Sequence, residues 1–309
     1  MTIIVAGGTG FLGMALLHRL LRDNHSIVLL TRNSGNVSIH HPHVRVAQWD
    51  GRVVGDWVKY VDGADAIVNL TGELIAGKRW TKRQKEIILG SRVDATRAIV
   101  KAIEQASKKP SVLVSASAVG YYGNVPSGDV PESFPKGNDF LAMVCGRWEE
   151  EALVARKLGI RIVTPRLGVV LAGDGGALKK MVLPFRWFIG GPIGNGRQWL
   201  PWIHRDDVVD GIVFLLQSSQ LAGAVNFVAP EPATMKQFSR ALGRSLRRPS
   251  WIPVPSFILH ILLGEMAGML LTGQRAVPQR LMDAGFVFQY PGLDRALSAI
   301  AESSCEEQC

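Results

Sequence analysis

The sequence predicts an α/β fold built on a doubly wound parallel sheet, and three observations carry that reading. A β-branched run, Thr2–Ala6, opens the chain and runs into three glycines spaced by two residues, Gly7, Gly10 and Gly13. Behind them the apolar positions from Met14 to Leu21 recur at helical spacing. Further along, short apolar runs bounded by turn residues alternate with longer helical segments, a rhythm that buries both faces of a parallel sheet.

Strand, glycine turn and helix in succession make a Rossmann-type nucleotide site. A diphosphate needs backbone N–H groups at a helix N-terminus with no Cβ in the way, and the GGTGFLG segment (residues 7–13) supplies them. Gly7, Thr9, Gly10, Phe11, Leu12 and Gly13 are the expected cofactor contacts, in a G-x-x-G-x-x-G spacing. The second strand, residues 27–31, ends at Thr31 and Arg32, and no Asp or Glu occupies positions 24–49. The acidic residue that would hold the ribose 2′-OH of NAD is therefore missing. A guanidinium instead donates two parallel hydrogen bonds to a 2′-phosphate, so NADP(H) is the expected cofactor; a solvated surface arginine is the alternative.

The third and fourth strands fall at Val44–Gln48 and at residues 66–70, the latter entering the Thr71-Gly72 turn. A helix follows over residues 81–107, a fifth strand at Val112–Ser115, a helix over 139–158 and a sixth strand at 160–163. Residues 1–165 are expected to form the nucleotide-binding unit. Residues 166–309 are expected to form a smaller C-terminal α/β substrate-binding portion, interwoven with the first. In that portion, residues 173–176 and 190–196 are glycine-rich and Pro184, Pro192 and Pro201 lie nearby, which reads as irregular structure over the cofactor crevice. Helices are expected over 206–217, 235–246 and 257–271, the last buried, with short strands at 225–228 and 252–254. Residues 302–309 read as a frayed terminus.

Composition narrows the function. With 309 residues, 47% hydrophobic and 20% charged, the chain is that of a globular protein with a sizeable core. Its +9 charge does not point to nucleic acid, because the basic residues are scattered and the densest cluster, residues 244–248, lacks interleaved aromatics. An anionic cofactor and substrate account for the same balance. Cys145, Cys305 and Cys309 have no metal-ligand spacing, so no metal is expected and the cytoplasm or another reducing compartment is. His260 and Glu265 interrupt the longest apolar stretch and no leader pattern opens the chain, so no membrane partner is expected. The oligomeric state stays open.

Several motifs together resemble the atypical extended short-chain dehydrogenase/reductases of the sugar-nucleotide-epimerase-like branch. They are GGTGFLG, the Thr31-Arg32 strand end, NLTGE (69–73), KRWT (78–81), Ser91 to Thr96, SASAVGYYG (115–123), RWEE (147–150), GGPIGNGRQWLPWIHRDD (190–207) and GQRAVPQR (273–280). The resemblance implies that Leu70, Thr71 and Gly72 pass the cofactor's phosphates and ribose. It also implies that Arg92, with Glu86 earlier on the same helix, lies on the nicotinamide side, and that the backbone from Arg166 to Val169 faces the nicotinamide. An exposed helical arginine is the alternative for Arg92.

The chain departs from that family in its chemistry. Relatives use a Ser or Thr at the fifth strand and a Tyr-x-x-x-Lys pair, whose lysine lowers the tyrosine pKa for proton transfer. Here Leu141 falls in the tyrosine slot and Cys145 in the lysine slot, while the serine slot falls on Ala118 with Ser117 one residue earlier. The catalytic group is thus unassigned, with Ser117, Tyr121, Tyr122, Cys145 and His204 as candidates. For His204 a structural role is favoured, with Asp206 or Asp207 capping the following helix. Arg197, Trp199 and Trp202 cluster in one loop, where a guanidinium beside flat rings suits a substrate ring and an anionic group. Two functions remain. One is an NADP(H)-dependent, epimerase-like oxidoreductase acting on a small anionic or sugar-like molecule; the other is a catalytically silent NADP(H)-binding regulatory or interaction protein.

Overall fold

The structure, a computed structural model, describes residues 1–37 and 39–306. Its first half runs β1 (Thr2–Ala6), α1 (Phe11–Arg22), β2 (Ser26–Thr31), β3 (Val44–Gln48), β4 (Ala66–Asn69), α2 (Lys82–Gln105), β5 (Val112–Ser115), β6 (Ser117–Ala118), β7 (Val125–Val130) and α3 (Phe140–Leu153). The second half begins with β8 (Arg161–Leu167), β9 (Val169–Leu171), α4 (Gly176–Arg186), β10 (Trp199–Leu200), β11 (Trp202–His204), α5 (Arg205–Gln217) and β12 (Gly223–Phe227). It closes with β13 (Ala233–Thr234), α6 (Met235–Ser245), α7 (Ser256–Leu263), α8 (Gly268–Leu271), β14 (Gln274–Ala276), α9 (Gln279–Asp283) and α10 (Leu293–Glu306).

The central sheet has the order β12-β8-β5-β4-β1-β2-β3, with β6 paired to β8. Every neighbour in it is parallel. The chain winds outward from β1 to β3, then crosses back to β4, so the winding reverses between β1 and β4. Side chains of one strand alternate between two cores. Ile3 and Val5 pack with Leu16, Leu20, Ile212 and Phe227 beneath α1 and α5, while Ile4 and Ala6 pack with Ile99, Ile103 and Ile162 beneath α2 and α3. A third core, built on Trp202, Phe238, Leu242 and Leu297, joins α4, α6 and α10.

Helix starts follow local chemistry. Thr81 Oγ1 accepts the Gln84 N–H at 3.1 Å and Asp139 Oδ1 the Ala142 N–H at 2.8 Å, and Thr234 and Gln237 form a reciprocal capping box. Two helices, α1 and α4, begin instead on a bare glycine, Gly10 and Gly175, with no side-chain cap.

Four sequence expectations need correction here. The stretch read as irregular contains the eleven-residue α4, whose glycine-flanked start and internal Pro184 disguised it. The expected buried helix over 257–271 is instead broken at Gly264, which has φ +61°, and α7 is largely exposed. The expected strand at 252–254 is a single bridge between Ile193 and Val254. Residues 302–306, expected to fray, continue α10; Cys309, in the same expected tail, lies outside the described residues.

Candidate functional site

The carboxyl end of β1 meets that of β4 where the winding reverses, and glycine is required there. Gly7 has φ +80°, and a Cβ on it would stand 2.8 Å from the Leu70 carbonyl. A Cβ on Gly13 would overlap the Gly7 carbonyl oxygen, so the bare Gly13 lets α1 close onto the turn. Gly10 donates its N–H to Gly7 O at 3.1 Å. No side chain caps α1 and no carboxylate stands in its first turn. The amides of Phe11, Leu12 and Gly13 and the positive end of the helix dipole are left for an anion from outside, as a dinucleotide's diphosphate requires.

A strap crosses this turn. Gly175 and Gly176 lie against the Phe11 ring so closely that a Cβ on Gly175 would stand 2.6 Å from Cδ2. Arg205 holds its guanidinium 5.3 Å from the centre of the same ring and pairs with Asp174 at 2.6 Å. Sequence reasoning placed a glycine-rich loop over the crevice but not this clamp, whose two charged members lie 31 residues apart. Thr9 is exposed nearby.

At the end of β2, Thr31 is buried and accepts the Asn33 N–H, while Arg32 is exposed and makes no ion pair or hydrogen bond among the described residues. At the end of β4, Asn69 is fully buried. Its amide donates to Thr96 Oγ1 at 2.9 Å and Ser115 Oγ at 3.2 Å, and its oxygen accepts the Thr71 hydroxyl at 2.6 Å. Trp148 Nε1 donates to the same Thr96 oxygen. This network sets the Leu70-Thr71-Gly72 turn.

Gly72 packs on the Arg92 guanidinium, which a Cβ would meet at 2.9 Å. Arg92 is buried rather than exposed. It donates to the carbonyls of Ile88 and Glu73, lies 5.1 Å over the Trp148 ring, and is held below its ordinary pKa by burial. Glu86 does not join it: six residues are about one and two-thirds helical turns, and Glu86 points out of the exposed face.

The catalytic candidates are mostly engaged. Glu149 receives the Ser117 hydroxyl at 2.6 Å and two parallel bonds from Arg166, each 2.8 Å, with both charged groups buried. Arg166 also donates to the Tyr122 hydroxyl at 2.9 Å, which in turn donates to Asn226 at 2.6 Å. Burial pushes the Tyr122 phenol up to about 12 and the Cys145 thiol up to about 12. Tyr121 differs: Arg166 stacks 3.5 Å from its ring centre, but its hydroxyl makes no hydrogen bond among the described residues. Glu149 falls in the RWEE motif and Arg166 in the segment after the sixth strand, but nothing in the sequence pairs them, since they lie 17 residues apart.

His204, not Asp206 or Asp207, caps α5: its Nδ1 accepts the Asp206 N–H at 3.2 Å, and its ring stacks on Tyr290 with 3.9 Å between centres. Burial holds it below its ordinary pKa, which keeps the imidazole neutral as an acceptor must be. Asp207 is buried and receives the Gln289 and Tyr290 amides, yet burial still pushes its carboxyl up to about 6. Trp202 also leaves the substrate-facing group: it is 1% exposed and donates to Glu231 O. Arg197 is exposed, and the Trp199 ring carries the Arg275 guanidinium at 5.3 Å. Val169 starts β9 beside the crevice and pairs with Trp202.

Comparison with known proteins agrees with this geometry. The NAD dependent epimerase/dehydratase family matches residues 3–227, and a domain of unknown function (DUF1731) matches residues 254–300. An Arabidopsis thaliana relative, "Epimerase family protein SDR39U1 homolog, chloroplastic", is 43% identical over 307 residues, covering 98% of this chain and 87% of its own length. Epimerase family protein YfhF of Bacillus subtilis is 39% identical, covering 97% and 98%. The crystal structure of human epimerase family protein SDR39U1 (isoform 2) with NADPH matches with a TM-score of 0.86 at 34% identity, over 98% of this chain and 99% of that one. By fold, by its glycine turn and by these matches, the chain belongs to the NAD dependent epimerase/dehydratase family.

Proposed function

We propose that this protein binds NADP(H) across the glycine turn and is an epimerase-like oxidoreductase for a small, anionic or sugar-like substrate. The observation that carries the cofactor assignment is Arg32, exposed and unengaged at the end of β2, next to first-turn amides that lack any protein cap. Its guanidinium fits a 2′-phosphate, and the human relative was crystallised with NADPH. Gly7 to Gly13 would hold the diphosphate, Leu70, Thr71, Gly72 and Arg92 the middle of the cofactor, and the Val169 backbone its nicotinamide end. In this division residues 1–165 hold most of the cofactor and residues 166–309, interwoven with them through Val169, the substrate, with Arg197 and Trp199 contributing. NADP(H), when bound, supplies the hydride chemistry; the chain must supply the proton. Tyr121 is the donor we assign, because Ser117 and Tyr122 are held by buried partners, His204 caps a helix, and burial raises the Cys145 thiol out of range. The free buried thiol of Cys145 suits a reducing compartment.

Fluorescence titration tests the cofactor half: NADPH should bind about tenfold or more tightly than NADH, and Arg32→Asp should erase the difference. Equal affinities in the unaltered protein would remove the role of Arg32. For the reaction, NADPH consumption against a panel of carbonyl compounds and nucleotide sugars should fall roughly a hundredfold in Tyr121→Phe. The engaged hydroxyls of Ser117 and Tyr122 favour a second reading, a regulatory protein that binds NADP(H) without turnover. Tight NADPH binding with no consumption across the panel would select it.

A further inference from the structure

The +9 charge has a location. Residues 175–205 and 232–264 hold ten lysines and arginines and no acidic residue, so these two stretches account for all of the excess over 26 acidic residues in the chain. The same stretches expose large apolar side chains. Trp187 is 76% exposed, Trp251 74% and Ile261 69%, with Phe188, Phe257 and Leu262 more than half exposed. Helix α7 has no formally charged residue and fully buries only Leu259. The two stretches form one surface: Ile252 N–H donates to Gly190 O at 3.2 Å, Val254 N–H to Pro192 O at 2.9 Å, and the Arg248 guanidinium lies 4.5 Å over the Phe188 ring.

An apolar patch of this size on a protein surface marks a binding face. We propose that it docks on an anionic lipid surface, with α7 lying in the headgroup plane and Trp187 and Trp251 at the boundary between headgroups and acyl chains. The charge selects this occupant. Exposed Lys179, Arg186, Arg247 and Arg248 rim the patch with no acidic residue among them, whereas Arg244 and Arg205 are paired, to Asp294 and Asp174. A second copy packed two-fold against the same face would set cation against cation; lipid phosphates supply the opposite sign. The contact is peripheral, since no described helix is long and apolar enough to cross a membrane.

Flotation of the full chain with phosphatidylcholine vesicles, with and without phosphatidylglycerol, tests this. The protein should float with the anionic vesicles and not the neutral ones, lose that association as salt is raised, and shift its tryptophan emission to the blue on binding. Two double variants, Phe257→Ser with Ile261→Ser and Arg247→Glu with Arg248→Glu, should each weaken binding about tenfold or more, with circular dichroism and NADPH titration unchanged. Failure to float with anionic vesicles would overturn the proposal, as would unchanged vesicle binding by both variants. Conversion of a dimer to a monomer by the serine variant in sedimentation velocity would overturn it in favour of a self-association surface.

Discussion

Arg166 lies in the protein's interior with Glu149 across two hydrogen bonds, the Tyr122 hydroxyl on one side and the Tyr121 ring beneath. Burial alone would lower its pKa; the Glu149 carboxylate more than offsets that and holds the guanidinium above its ordinary value. Such a pair contributes little over an apolar replacement, yet removing one member strands the other. Glu149→Gln should therefore lower the unfolding free energy by about 3–5 kcal/mol in urea titration, whereas Glu149→Leu with Arg166→Met should recover most of that loss. The sequence showed Ser117 and Tyr122 as polar residues near the fifth strand. It did not show what holds them, because their partners Glu149 and Asn226 lie 32 and 104 residues away. Local spacing carries no record of such meetings.

At the scale of elements, legibility followed periodicity. Strands β1, β2, β4 and β5 are runs of apolar and β-branched residues buried on both faces, so composition and location agree, whereas the edge strand β3 carries Arg45 and Gln48 and buries only Ala47. α4 and α7 show where the same reasoning fails. The first begins between glycines that serve the Phe11 contact, and the second is apolar enough to pass for core while standing on the surface. Asp207 joins α5 to the Gln289-Tyr290 segment, and its ionisation is costly. Its carboxyl titrates near 6 in the folded chain against an ordinary 3.8, so between those values the folded state holds a proton that the unfolded state has released. Stability from this group is therefore fully present below about 3.8 and is lost as pH rises through about 6. Comparing the native protein with Asp207→Asn in urea, the native protein's relative stability should fall by about 2 kcal/mol between pH 4 and pH 7. A difference that stayed flat would show the carboxyl titrating normally.

For the whole molecule, the reversal of winding between β1 and β4 decides where everything else must gather. The turn after β1, the buried Asn69 network, Arg92 and the crossing loop all converge on that one edge because the parallel strands end there together. The rest of the surface is divided by charge, with the cationic, apolar face drawn from α4, α7 and the segments beside them.

The Asp174–Arg205 clamp has a consequence in time rather than in affinity alone. Gly175 and Gly176 lie over Phe11, next to the Asp174–Arg205 ion pair, so a nucleotide with its phosphates on the α1 amides would have to leave past a covered ring. Residence should then be limited by the opening of the roof. Asp174→Asn should quicken NADPH release roughly two- to fivefold in stopped-flow displacement while the association rate stays within error, the span expected for one partly exposed pair. On that expectation the roof would work as a turnstile, setting how quickly one bound dinucleotide is exchanged for another.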